Sequence, residues 1–143
     1  MKKLILILML LPTIVYADFI EDRWEIKSFV GEQSFAKDRP VIGKSQSFDG
    51  GYAAGIFYNC EFAGQVMTYT KYSLKEFLTN REFSLFKKYA KELKFDSDEI
   101  FVHRISCNGK SDEDRALIYP FVTTGKRQKA YYLFEEAIYI LKK

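Results

Sequence analysis

The chain has 143 residues, with 22 basic side chains, 19 acidic ones and a single histidine. That length fits one domain with a proper core, and without Lys2 and Lys3 the balance is 20 basic to 19 acidic residues, which leaves no electrostatic footprint for nucleic acid. The 10 tyrosines and 13 phenylalanines favour sheet over helix.

The opening stretch, MKKLILILMLLPTIVYA, reads as a secretory signal peptide over residues 1–17. Lys2 and Lys3 form the positive end, Leu4 to Val15 the apolar core, and Val15-Tyr16-Ala17 the small-residue cleavage site. The apolar run is about twelve residues and contains Pro12, too short for a bilayer that needs roughly twenty. No cysteine follows it, so no lipid anchor is expected. The mature protein is then one domain, residues 18–143, periplasmic or secreted by a Gram-negative type of export and not inserted in the membrane after cleavage.

Asp22 to Val30, DRWEIKSFV, alternates as a strand, with Trp24, Ile26 and Val30 on one side and Glu25 and Lys27 on the other. After a polar connection, VIGKSQSF reads as a second strand ending at the Asp49–Gly51 turn. YAAGIFYNC is apolar or small on both faces and is expected as a central strand. GQVMTYTKY continues as the next strand. The period then changes. Ser73 and Glu76 have the spacing of a capping box, and Phe83, Phe86, Ala90 and Leu93 recur three and four apart with Lys87, Lys88 and Lys91 off the stripe. A helical region around residues 74–93 follows, with Thr79 and Glu82 marking a restart. DEIFVHRISC returns to strand, with Phe101, His103, Ile105 and Cys107 on one face. NGKSDED is a loop. RALIYPFV is a strand whose Pro120 favours an edge or a bulge, and TTGKRQ is a turn.

The last stretch, KAYYLFEEAIYILKK, has no polar face as a helix and is too short and too acidic for a membrane span. As extended chain it fits a sheet covered on both sides, with Glu135-Glu136 as a tight reversal or a bulge. The expected fold is therefore mainly β, about seven or eight antiparallel strands with one helical insertion, closed as a barrel in preference to a sandwich to hide the edges.

Cys60 and Cys107 both fall in the exported part, and an even count in that compartment implies a disulfide between them. They are too far apart in sequence for a C-x-x-C redox pair, and with one histidine they supply too few ligands for a metal centre. The acidic pairs Asp96/Asp98 and Asp112/Asp114 lack the glycine and terminal glutamate of a calcium loop. No nucleophile elbow, zinc-protease or phosphate-loop pattern occurs. The expectation is a protein with no catalytic residues, no metal and no cofactor. Tyr52, Tyr58, Tyr69, Tyr119, Tyr132 and Tyr139 lie on expected strands. Pointing inward, they offer an apolar wall with hydroxyl tips for a small amphipathic ligand; the commoner arrangement is that such residues fill the core. Tyr52, Tyr58, Tyr69, Tyr119, Tyr132 and His103 are the candidate ligand residues.

A Trp near the start of the first mature strand, an up-and-down set of strands and a basic last strand resemble the lipocalin or calycin type of small exported barrel. Asp22 stands where that family has glycine, and the helix falls mid-chain instead of near the end. The resemblance implies that Lys142 or Lys143 replaces the family's late arginine as a cation over the Trp24 ring. It also implies a barrel that holds a small hydrophobic ligand or serves an envelope partner. The alternatives are a protein-binding inhibitor of the lysozyme-inhibitor type and a structural protein of the cell envelope.

Overall fold

A computed structural model describes residues 20, 22–32, 40–49, 52–61, 68–104 and 120–143. Its strands are β1 (Asp22–Gly31), β2 (Ser45–Asp49), β3 (Tyr52–Gly55), β4 (Cys60–Glu61), β5 (Thr68–Ser73), β6 (Glu99–Arg104), β7 (Phe121–Thr124), β8 (Lys129–Phe134) and β9 (Ala137–Lys142). They form one sheet in the order β4-β3-β2-β1-β9-β8-β7-β6-β5, antiparallel throughout and strongly curled into a half-barrel. Each strand lies beside its sequence neighbour, except that β4 and β5 are the two edges and the terminal strands β1 and β9 pair with each other. This is a meander joined end to end, and its seam falls between two consecutive strands. Among the described residues these are nine strands, or eight without the two-residue β4, in line with the expected seven or eight.

The aromatic tail is sheet, as its two apolar faces require. β8 and β9 form a hairpin in register from Lys129–Lys142 to Phe134–Ala137, and Ala137 to Leu141 are all buried. Glu135-Glu136 is the tight reversal, with Glu135 in the left-handed region at φ 52°, a conformation that disfavours a residue with a Cβ. The opposing strand makes room for it. Gly31 sits at φ 94°, and a Cβ there would collide with the Glu136 carbonyl oxygen. The same carbonyl accepts the Glu32 N–H at 3.1 Å.

One face of the sheet carries Trp24, Ile26, Phe48, Ala53, Tyr58, Phe121, Tyr132, Tyr139 and Leu141. The other carries Ile100, Val102, Val122, Tyr131, Ile138 and Ile140, on which the helical segment packs. Val30 lies with this second group, not with Trp24 and Ile26 as simple alternation predicts. The register of β1 against β9 shifts between Ile26 and Ser28. One extra residue in a strand reverses which face every later side chain meets, so Phe29 takes the Trp24 face opposite Tyr139 and Val30 comes opposite Ile138.

The helical region consists of α1 (Leu74–Thr79), a 3-10 turn (Arg81–Phe83), α2 (Ser84–Lys88) and α3 (Ala90–Leu93). Ser73 and Glu76 form the expected capping box. The restart is capped by Asn80, whose side chain accepts the Glu82 N–H, and not by Thr79, whose hydroxyl turns back to the Lys75 and Glu76 carbonyls. Phe77, Phe83, Phe86 and Leu93 are fully buried against the sheet. At the end of α3 the Lys129 ammonium donates to the Leu93 and Lys94 carbonyls at 2.6 and 3.0 Å, and the Tyr131 hydroxyl donates to Leu93 at 2.9 Å. These bonds satisfy carbonyls that a helix end leaves open.

Two further expectations change. The segment 52–60 is not a central strand: β3 has four residues and lies next to the edge strand β4, because the chain leaves the ladder at Gly55. Pro120 does not mark an edge strand; it precedes β7, which lies between β6 and β8. The parts of expected strands at 64–67, 105–107 and 115–119 lie outside the described residues. Among the described residues no helix is long and apolar enough to cross a membrane.

Candidate functional site

Register across the sheet sets a row of rings side by side. Tyr69 faces His103, His103 faces Phe121, Phe121 faces Tyr132, Tyr132 faces Tyr139, and Tyr139 faces Phe29. One residue from each of β5, β6, β7, β8, β9 and β1 contributes, all on the Trp24 face. The shifted register in β1 is what brings Phe29 into the row. Directly opposed side chains in antiparallel strands lie close enough for ring contact, and the measured centroid separations are 5.8 Å for Tyr69–His103 and 6.2 Å for Phe29–Tyr139.

The middle of the row is covered. Phe57 lies 3.9 Å from Tyr132 and 5.3 Å from Tyr139, Tyr58 lies 5.4 Å from Tyr132, and Phe48 lies 5.1 Å from Phe121. Phe57 and Tyr58 come from an irregular segment that Gln46 holds. The fully buried Gln46 accepts the Phe57 and Tyr58 N–H groups on Oε1 at 2.9 and 2.8 Å, and its Nε2 donates to the Tyr58 carbonyl at 2.9 Å. A side chain thus replaces a strand partner for three backbone groups. Gly55 allows the approach: at φ 153° it has no room for a Cβ, which would meet Gln46 Cα at 2.6 Å.

Both ends of the row open outward. Tyr69 is 46% and Phe29 37% exposed, and Phe134, stacked on Tyr132, is half-buried. Near the Phe29 end the Tyr139 hydroxyl is fully enclosed and makes no hydrogen bond. Burial and, after it, the Glu135 carboxylate push its pKa above the usual phenol value, so it stays a neutral O–H.

His103 is buried within the row, with Nε2 2.8 Å from the Thr123 hydroxyl. Desolvation lowers its pKa from 6.5 to about 3, so the ring is neutral at physiological pH and packs as an aromatic. At the other end of the same face Trp24 is fully buried, its Nε1 donating to the Ile20 carbonyl at 2.9 Å and its ring meeting Phe121 at 5.9 Å. Lys143, one of the two lysines expected there, places its ammonium 5.0 Å from the indole centroid and 3.3 Å from the Asp22 carboxylate. That carboxyl is held below its ordinary pKa, chiefly by the Arg23 N–H.

Of the candidate ligand residues, Tyr58, Tyr69, His103 and Tyr132 are brought together along or against the row. Tyr52 is not; it is 40% exposed and donates its hydroxyl to Asn59 Oδ1 at 3.0 Å. Tyr119 lies outside the described residues. Gln46, Phe57, Phe29 and Phe134 were not among the candidates. The signal for Gln46 was its place two residues before Phe48, on the inward parity of β2. Cys60 packs half-buried against the Trp24 cluster, and Cys107 lies outside the described residues. A separate open groove of about 410 Å³ between β5, α1 and β6 is lined by Lys71, Ser73, Glu76 and Glu99. Its polar groups serve the capping box and a Lys71–Glu99 ion pair.

Compared with family models, with curated proteins and with solved structures, the chain matches none. The antiparallel half-barrel is compatible with a barrel-like fold and ties the chain to no lipocalin in particular.

Proposed function

We propose that this is an exported, non-enzymatic binding protein that takes a small hydrophobic or amphipathic ligand on its aromatic face. The observation that carries the reading is the row from Tyr69 to Phe29, covered in its middle and open at both ends. Large apolar rings with few polar tips are what ligand sites are made of. The lone histidine, neutral and bonded to Thr123, acts as part of the wall and not as an acid–base group. The reading takes residues 1–17, which lie outside the described residues, as a signal peptide and so puts the protein in the periplasm or outside the cell; a Cys60–Cys107 disulfide belongs to the same reading. So does closure of the barrel: β4 and β5 follow one another in sequence, so a single added pairing would complete the meander.

Titration with N-phenylnaphthylamine, a neutral apolar fluorophore, tests this. Saturable one-to-one binding that Phe57→Ser weakens is expected; absence of saturable binding would remove the reading. A second reading, a protein-binding inhibitor, is favoured by β5, a six-residue edge strand carrying exposed Tyr69 and Lys71. Edge strands of that kind accept an extended segment of a partner. Failure to slow lysis by lysozymes of several types would exclude the lysozyme-inhibitor form of it.

A further inference from the structure

An enclosed hydroxyl without a hydrogen bond is rare in folded proteins, and each instance calls for a physical reason. Tyr139 presents one next to Phe29, at one end of the aromatic row. Its ring is fully buried between Phe29 and Phe57, and its hydroxyl has no partner. Phe29 is 37% exposed and Phe57 half-buried, so the rings beside Tyr139 have solvent to move into. The Phe57 backbone is fixed by Gln46, so its side chain can swing while the main chain stays in place.

Resting on the ligand reading above, we propose that the Tyr139 hydroxyl is the polar anchor of the site, donating to a neutral carbonyl or ether oxygen of a flat apolar ligand. The rings of Phe57, Tyr132 and Phe134 take the apolar body. The class of polar group follows from charge. The phenol is a good donor, and Glu135 and Glu136 at the adjoining turn repel an anionic head group. A carboxylate or phosphate ligand is therefore disfavoured, and a ketone, aldehyde, ester or ether is selected.

The test pairs two probes with one substitution. Prodan is a flat neutral naphthalene dye with a ketone; N-phenylnaphthylamine is of similar size with no carbonyl. Tyr139→Phe removes one oxygen and keeps the ring. The expected result is prodan binding weakened about tenfold in Tyr139→Phe, as for one lost hydrogen bond, with N-phenylnaphthylamine affinity unchanged. If both probes bind and both ignore the substitution, the anchor is refuted while the ligand reading stands. If neither binds the native protein, the ligand reading falls and the anchor with it. A fall of both affinities by the same factor marks a packing role and overturns the anchor. Thermal melting of Tyr139→Phe accompanies the titrations, so that loss of fold is not mistaken for loss of the bond.

Discussion

Replacing Gln46 with leucine separates the polar role of that side chain from its volume. The substitution keeps the site filled but removes the bonds to the Phe57 and Tyr58 N–H groups and to the Tyr58 carbonyl, and a weaker one to the Ser47 carbonyl at 3.2 Å. Taking the partner from a buried backbone group costs about 1–3 kcal/mol. The two Tyr58 bonds are buried, while the Phe57 and Ser47 bonds are half-buried, so the latter fall at the low end or below it. Neighbouring losses do not add fully, and the expected total is about 3–5 kcal/mol. Urea unfolding followed by the fluorescence of Trp24, the sole tryptophan, and in parallel by circular dichroism gives the difference. The same variant should bind N-phenylnaphthylamine more weakly, because Phe57 loses its fixed backbone. A destabilisation below about 1 kcal/mol would mean that the irregular segment holds its shape without Gln46, and the reasoning would fail.

Stability should depend on pH through His103. Its folded pKa is about 3 against an ordinary 6.5; a depressed histidine leaves the unfolded chain binding more protons, so stability is full above pH 6.5 and declines as pH falls toward 3. Between pH 6.5 and 5 the loss is about 2 kcal/mol, and His103→Leu should flatten that slope; an unchanged slope would place the titration elsewhere. At the β8–β9 turn, Gly31→Ala should destabilise by about 2 kcal/mol or more through the clash with Glu136, whereas Glu135→Gly should stabilise by about 1 kcal/mol by relieving its left-handed backbone. Melting curves that shift the opposite way would refute the turn geometry. The proposed Cys60–Cys107 bond should contribute about 4 kcal/mol on the chain-entropy model; intact mass of protein recovered from the periplasmic fraction of its host showing two free thiols would remove it.

The sheet and the helical insertion were legible because their signals are local. Alternating apolar residues, a tail with no polar face, and the Ser73–Glu76 pair each determine structure within a few positions. The cation over Trp24 was expected only through the resemblance to a lipocalin-type barrel, which left Lys142 and Lys143 open; the lysine over the ring is Lys143. What was not legible depends on pairing at a distance. Nothing around Lys27, neither glycine nor proline, announces the register shift that sends Val30 and Phe29 to opposite faces. The break after Gly55 depends on a glutamine nine residues upstream, and alternation alone made the segment look like a regular inner strand. Thr79 and Asn80 are both good caps, and only the direction of the Thr79 hydroxyl separates them. The aromatic row shows the same limit. Tyr69, His103 and Tyr132 could be nominated from composition, but their alignment with Phe29 and Tyr139 exists only once six strands are in register.

Native mass spectrometry of the protein purified from its own host tests the ligand-binding claim most directly. The account predicts a population heavier than the bare chain by one small neutral molecule, lost in Phe57→Ser. Finding the bare chain alone, at the mass of the polypeptide, would contradict it.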